Sequence, residues 1–276
     1  MRLPPFVQIR SIFFLILSIP VYFVLSPKAP LAAQGTPQQD PQAATIMRGS
    51  LSSMGAASYS QGTLQTTSGA AVQDSQAKGT ISFGDGSSGD ITIKTKGLGL
   101  LRHDIKTNGD QITSVTNGNS GHVVQGGNKT DLPLWIIKYQ RAGHIPVLSR
   151  MAEYAQANTN LTYVGLETVA GASVHHIRIS SLPTDDTPAD LEDLISEFHV
   201  FVDVNSLLPV KTLSFALSPQ AMQNRAPIET YYSDYRPVGG ILVPFHVTSY
   251  LRGQKLADIV LSSVELNVGL SVNDFQ

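Results

Sequence analysis

The chain contains no cysteine, a single tryptophan and few charges, only 14% of its 276 residues. Without thiols it cannot be a disulfide-stapled miniprotein, a zinc finger, a thiol enzyme or a lipoprotein anchored through an N-terminal cysteine. Positive charge is not in excess either, since 19 Lys and Arg face 21 Asp and Glu. That balance excludes the basic footprint a nucleic-acid binder needs. What remains abundant is Gly, Ser and Thr, a composition suited to a β-rich exported protein. The length allows a sizeable core.

One apolar run stands out. Arg2 and Arg10 precede Ser11–Leu25, which carries no charge, and the small residues Ala32 and Ala33 follow. Basic region, apolar core and small-residue site are the order of a secretory signal. A membrane span needs about 20 apolar residues, and this run is shorter and interrupted by Pro20. The expectation is export, to the periplasm, with residues 1–33 removed as a signal peptide, the alternatives being secretion or an uncleaved anchor. Residues 34–42 (QGTPQQDPQ) read as a flexible polar linker. Residues 43–276 read as a single domain.

Ala43, Ile46, Met47, Leu51 and Met54 recur at helical spacing and predict an opening amphipathic helix. Short β segments follow, 79–83, 90–96, 101–107, 111–116 and 122–125, broken by Gly84-Asp85-Gly86, Asn108-Gly109 and Asn117-Gly118-Asn119. Asn-Gly between alternating runs is a strong hairpin signal, so this half folds as an antiparallel meander. Residues 132–157 suit two helices broken around Gly143–Pro146. Strand signals resume at 161–168 and 173–180, then an acidic loop or short helix at 185–193. Segments 197–204, 210–217, 228–236, 242–252 and 255–266 complete the chain. Phe198, Val200, Val202 and Val204 form a period-two apolar stripe, and Ile241, Val243, Phe245 and Val247 form another. A sheet with one apolar face must be covered. The predicted fold is therefore α+β, a large curled antiparallel sheet whose concave face is covered by a few helices.

Motifs with chemical precedent fail on context. Gly84–Gly89 matches G-x-G-x-x-G, but strand residues follow where a phosphate-binding helix would have to begin. Ser75–Lys78 matches S-x-x-K without its partner S-D-N and K-T-G elements, and reads as a polar loop. No G-x-S-x-G elbow is present. His175 and His176 are adjacent on a strand and point to opposite faces, so a shared metal is not expected. They read, with His199 and His246, as scattered surface or cavity-edge histidines. The acidic residues Asp185–Asp193 lack the Gly and terminal Glu of a calcium loop. The chain is thus expected to be non-catalytic, with no cofactor and no metal.

Several turn segments carry a family resemblance. Gly165–Gly171 (GLETVAG) before a strand resembles a G-x-E-x-V-x-G hairpin, and Val202–Val210 (VDVNSLLPV) an Asp-turn-Leu-Pro hairpin. Tyr231–Tyr235 with Gly240–Phe245 resembles Y-x-D-Y … G-I-x-x-P, and Asn267 through Phe275 a closing N-x7-F. In order, these resemble the periplasmic lipoprotein-carrier (LolA/LolB-like) superfamily, which includes outer-membrane lipoprotein-sorting proteins. The resemblance implies an unclosed antiparallel β-barrel with a helical lid over an apolar cavity, carrying lipid or lipoprotein acyl chains. Phe198, Val200, Val202, Ile241, Val243, Phe245 and Val247 are then expected to line the cavity, closed by Trp135 and Met151. The alternative expectation is an envelope protein-interaction or structural module without a small ligand.

Overall fold

A computed structural model describes residues 36–276, apart from 61–62, 98, 119, 133–136, 138–147, 149–150, 184–188 and 219–220. Helix α1, Pro41–Ser53, opens it. Asp40 caps the helix, accepting from the backbone N–H of Gln42 at 2.8 Å and of Ala43 at 3.1 Å. Pro41 at the first helical position has no N–H to satisfy and a φ already suited to a helix. The helix therefore starts two residues ahead of the sequence reading.

The residues before it are pinned as well. Gln39 forms a parallel bridge to Leu161, Leu161 N–H donates to Gln38 O at 2.7 Å, and Asp40 N–H to Leu161 O at 2.9 Å. Residues 38–40 are thus held by backbone bonds to Leu161, and 41–42 are the first residues of α1.

Three short strands follow, β1 (Ala56–Ser60), β2 (Thr63–Thr66) and β3 (Ala71–Val72), as a small antiparallel sheet. The other strands are β4 (Asp74–Phe83), β5 (Ser88–Lys96), β6 (Leu100–Thr107), β7 (Asp110–Asn117), β8 (Ser120–Gln125), β9 (Asn128–Asp131), β10 (Thr159–Val169), β11 (Ala172–Ser181), β12 (Phe198–Asp203), β13 (Pro209–Ser218), β14 (Ala221–Val238), β15 (Ile241–Leu251) and β16 (Gln254–Leu266). They form one 13-stranded sheet in the order β10 to β16, then β4 to β9. The ends β10 and β9 do not pair with each other, so the sheet is unclosed.

Most connections are tight hairpins, for a local reason. At Ala170-Gly171 both residues have positive φ, 49° and 85°, the twist that matches two right-twisted strands. Joining the halves needs a close approach instead. β16 pairs with β4 with Leu261 opposite Gly79, and a Cβ on Gly79 would sit 2.2 Å from the Val260 carbonyl oxygen. Only glycine fits that seam.

The segments of resemblance prove to be turn mechanics. Asp203 Oδ1 accepts from the N–H groups of Asn205 and Ser206, which holds its carboxyl below the usual range and lets Leu207 adopt φ +57°. Tyr235 Oη donates to Pro209 O at 2.6 Å, tying β14 to the start of β13. Asn267 brackets β3 and β4 by bonding Ala71 O and Gln73 N. The tail then ends in a single 3-10 turn, Val272–Phe275, with Phe275 buried beside Val115, Leu270 and Leu100.

A further sequence expectation changes. Ser75–Lys78 is strand, not loop, and lies inside β4. The acidic segment contributes a short helix α2, Ala189–Ser196. Within 132–157, Ile137, Leu148, Met151 and Ala152 are helical and buried, and Glu153–Ala155 is a 3-10 turn.

Candidate functional site

On the inner face, alternation along β12 and β15 delivers apolar side chains to one cluster. Phe198, Val200, Val202, Ile241, Val243, Phe245 and Met151 all belong to it, each at most 6% exposed. It also takes in Ala43 and Met47 of α1, Leu148, Leu161 of β10, and Ile177 and Ile179 of β11. The register explains the gathering, since Ile177 stands opposite Val200 and Ile179 opposite Phe198. Val247 departs from the group. It is only half-buried and sits between Tyr232 and Ile259 on the neighbouring strands. Trp135 lies outside the described residues. Val204 is 36% exposed, beyond the end of the stripe.

β12 is buried on its other face too, where His199 and Phe201 alternate with the apolar stripe. The one-sided reading of this strand is therefore incomplete, and so is that of its histidines. His176 Nε2 and His199 Nδ1 are 2.7 Å apart, with both residues 9% exposed. His176 Nδ1 is 2.5 Å from Glu167 Oε1, and His199 Nε2 is 2.7 Å from Glu197 Oε1. Glu197 pairs on with Arg225 at 2.7 Å and Arg178 at 3.5 Å, and Arg178 with Asp193 of α2 at 2.8 Å. His176 stacks on Phe201 at 4.3 Å between centroids, and the Lys211 ammonium lies 5.0 Å over that Phe201 ring. Desolvation pushes the His199 imidazole below its ordinary value against the opposing pull of Glu197. Burial opposes ionisation of Glu197, yet hydrogen bonds from His199 and Arg225 keep its carboxyl below the usual range.

His175, as its neighbour's opposite, meets Tyr163 Oη at 3.1 Å. The signal for the His176–His199 pair was available. Glu167, His176, Arg178 and His199 fall at same-face positions once β10, β11 and β12 are aligned as a meander.

A second polar chain crosses β14 to β16. Ser233 Oγ is 3.2 Å from His246 Nδ1, and His246 Nε2 is 2.7 Å from Asp258 Oδ1. The residue types are those of a serine-hydrolase triad, but the ring nitrogens are exchanged relative to the working arrangement, in which Nε2 faces the serine. Asp258 also accepts from Thr248 at 2.7 Å and Lys255 at 3.1 Å. Partial burial opposes its ionisation, but these donors outweigh burial and hold the carboxyl at about 2. The group is a cross-strand network on an open sheet face. Elsewhere, a cleft of about 240 Å³ lies among Asp90, Thr92, Asp104, Ile105, Lys106 and Gln111 of β5 to β7, apart from the inner cluster. Among the described residues no three His, Asp or Glu side chains converge as metal ligands.

An unclosed antiparallel sheet with an apolar inner cluster is an open half-barrel. Solved structures match it. A domain named for outer-membrane lipoprotein sorting from Vibrio parahaemolyticus aligns over 85% of this chain and 96% of its own, at 11% identity and a TM-score of 0.51. A LolA superfamily protein from Nitrosomonas europaea covers 85% of this chain and 97% of its own, at 13% identity and a TM-score of 0.47. A DUF1329 family protein from Desulfovibrio piger covers 74% and 90%, at 15% identity and a TM-score of 0.48. The likeness to the Vibrio parahaemolyticus domain is one of fold. No protein-family model and no curated protein matches the sequence.

Proposed function

We propose that this chain is an exported envelope protein that binds the acyl chains of a lipid or lipoprotein against the inner face of its half-barrel. The observation that carries the reading is the inner cluster. Apolar side chains from β10, β11, β12 and β15 meet those of α1, Leu148 and Met151 in one continuous patch. In this reading α1, Leu148 and Met151 cover the concave face, and Phe198, Val200, Val202, Ile241, Val243 and Phe245 form the wall. Acyl binding needs no catalytic constellation, because each buried methylene contributes about 0.8 kcal/mol. The chain is not an enzyme in this reading, and it takes no cofactor or metal. Residues 1–33 act as its export signal.

The test is native mass spectrometry of the protein expressed with its own N-terminus and extracted without detergent. Co-purifying lipid is expected, and Val243→Asp in a folded protein should abolish it, since a carboxylate in the wall penalises an apolar ligand. Lipid absent from the wild type, together with no binding of fluorescent fatty acids at micromolar levels, would replace the reading.

What would replace it is an envelope protein-interaction module. One observation favours that alternative. β10 is an edge strand, and it exposes Val164 by 50% and Leu166 by 62%. Exposed apolar edges are where extended partners add a strand.

A further inference from the structure

We propose that the His176–His199 pair is a proton-operated latch that fastens the edge hairpin β10–β11 to the sheet and releases it on acidification. Hydrogen counting carries the proposal. Ionised Glu167 and Glu197 are acceptors only, so His176 Nδ1 and His199 Nε2 must both donate. The 2.7 Å contact between the two remaining nitrogens needs one hydrogen, not two and not none. Four nitrogens therefore carry three hydrogens, and the pair holds one positive charge between two rings. A further proton would set two N–H groups against each other, and the rings must then part.

Around the rings, Glu167 from β10 and Glu197 beside β12 take the outer nitrogens, Arg178 from β11 and Arg225 from β14 pair with Glu197, and Asp193 from α2 pairs with Arg178. Lys211 from β13, over the Phe201 ring, pairs with Glu229 from β14.

Position gives the latch its consequence. β11 is the only strand neighbour of β10 in the 13-stranded sheet, the bonds of Leu161 to Gln38 and Asp40 hold only the near end of β10, and its pairing with β11 slips between Tyr163 and Gly165. Beyond that slip, Glu167 is the β10 side chain tied to the buried pair. The latch works whatever the inner face holds, so it stands or falls apart from lipid binding.

The experiment follows the full chain with labelled histidines by NMR from pH 8 to pH 4. In parallel, hydrogen exchange is measured over residues 163–175 and over the His-free β4–β5 hairpin, each corrected for intrinsic rate. The expected result is that the second proton enters in one coupled step as the rings part, with the buried His199 ring titrating below its ordinary value. Protection of 163–175 should fall about tenfold for each pH unit from the ordinary histidine value of about 6.5 down to that step and level off below it, while β4–β5 stays unchanged. Two variants remove the pair, His199→Gln and His176→Phe, the second keeping a ring on Phe201. Each should flatten the pH response at 163–175 while keeping the wild-type circular dichroism at pH 7.5. Independent titration of the two rings would overturn the latch. So would protection of 163–175 that is indifferent to pH, or an acid response that survives in either folded variant.

Discussion

Replacing Phe245 separates a filled core from a ligand-holding wall. The side chain is 5% exposed within the inner cluster, and the Arg236 guanidinium carbon lies 4.5 Å over its ring. Burying such a ring is worth roughly 1.5–3 kcal/mol in transfer alone. Truncation to alanine also leaves a void, and roughly 100 Å³ at about 24 cal/mol per Å³ adds about 2.4 kcal/mol. In a close-packed core both terms apply, and Phe245→Ala should cost about 4–5 kcal/mol. A wall that faces an occupied or open cavity creates no new dry void, so only the transfer term remains, about 2 kcal/mol. Phe245→Leu serves as control, because it keeps apolar volume and gives up chiefly the Arg236 contact, about 0.5–1 kcal/mol at an exposed site. The measurement is urea unfolding of delipidated and lipid-bearing protein, with unchanged slope as the check on two-state behaviour. The container reading expects the small loss, and a lipid-dependent midpoint in the wild type that Phe245→Ala reduces. A loss of 4–5 kcal/mol with no lipid dependence in either protein would refute it.

Three further outcomes follow from the geometry. Gly79→Ala should disrupt the seam between β16 and β4, since its Cβ would lie 2.2 Å from a backbone oxygen, and the cooperative unfolding transition should weaken sharply or disappear. Asp258→Asn should remove part of the acid sensitivity. The depressed carboxyl contributes stability above its ordinary pKa and loses it as pH falls toward about 2, so wild type and variant should converge in acid denaturation only at about pH 2. Phe275→Ala should detach the tail from β6 and β7 at a cost of about 3–5 kcal/mol, seen as proteolytic trimming after residue 266.

Most strands were legible because their signal is local. The stripe Phe198, Val200, Val202 and the stripe Ile241, Val243, Phe245 each alternate within a few residues, and their inward direction needs no knowledge of a partner. The small sheet β1–β3 was not legible, since strands of two to five residues carry no measurable period. The start of α1 was legible but passed over. Asp40-Pro41 is an N-cap followed by a first-turn proline, and the polar composition around it masked the signal.

The outer network shows where reading along a chain stops. Glu167, His176, His199 and Arg225 come from four different strands or their flanks, and each looks like an ordinary surface residue beside its sequence neighbours. Only the register brings them together, with His176 opposite Phe201 and Arg178 opposite His199. Binary patterning assigns β12 one apolar face and treats the alternate positions as solvated. Yet His199 and Phe201 at those positions are as closed to water as much of the core. A strand buried on both faces near a sheet edge requires polar partners for its second side, because an unpaired imidazole there would lose its hydration without return. That requirement is what assembles the carboxylates and guanidinium groups around the two rings. It also places an ionisable cluster back to back with the proposed acyl wall, His199 between Phe198 and Val200 on one strand. Protonation on one side and apolar contact on the other thus act on the same three residues of backbone.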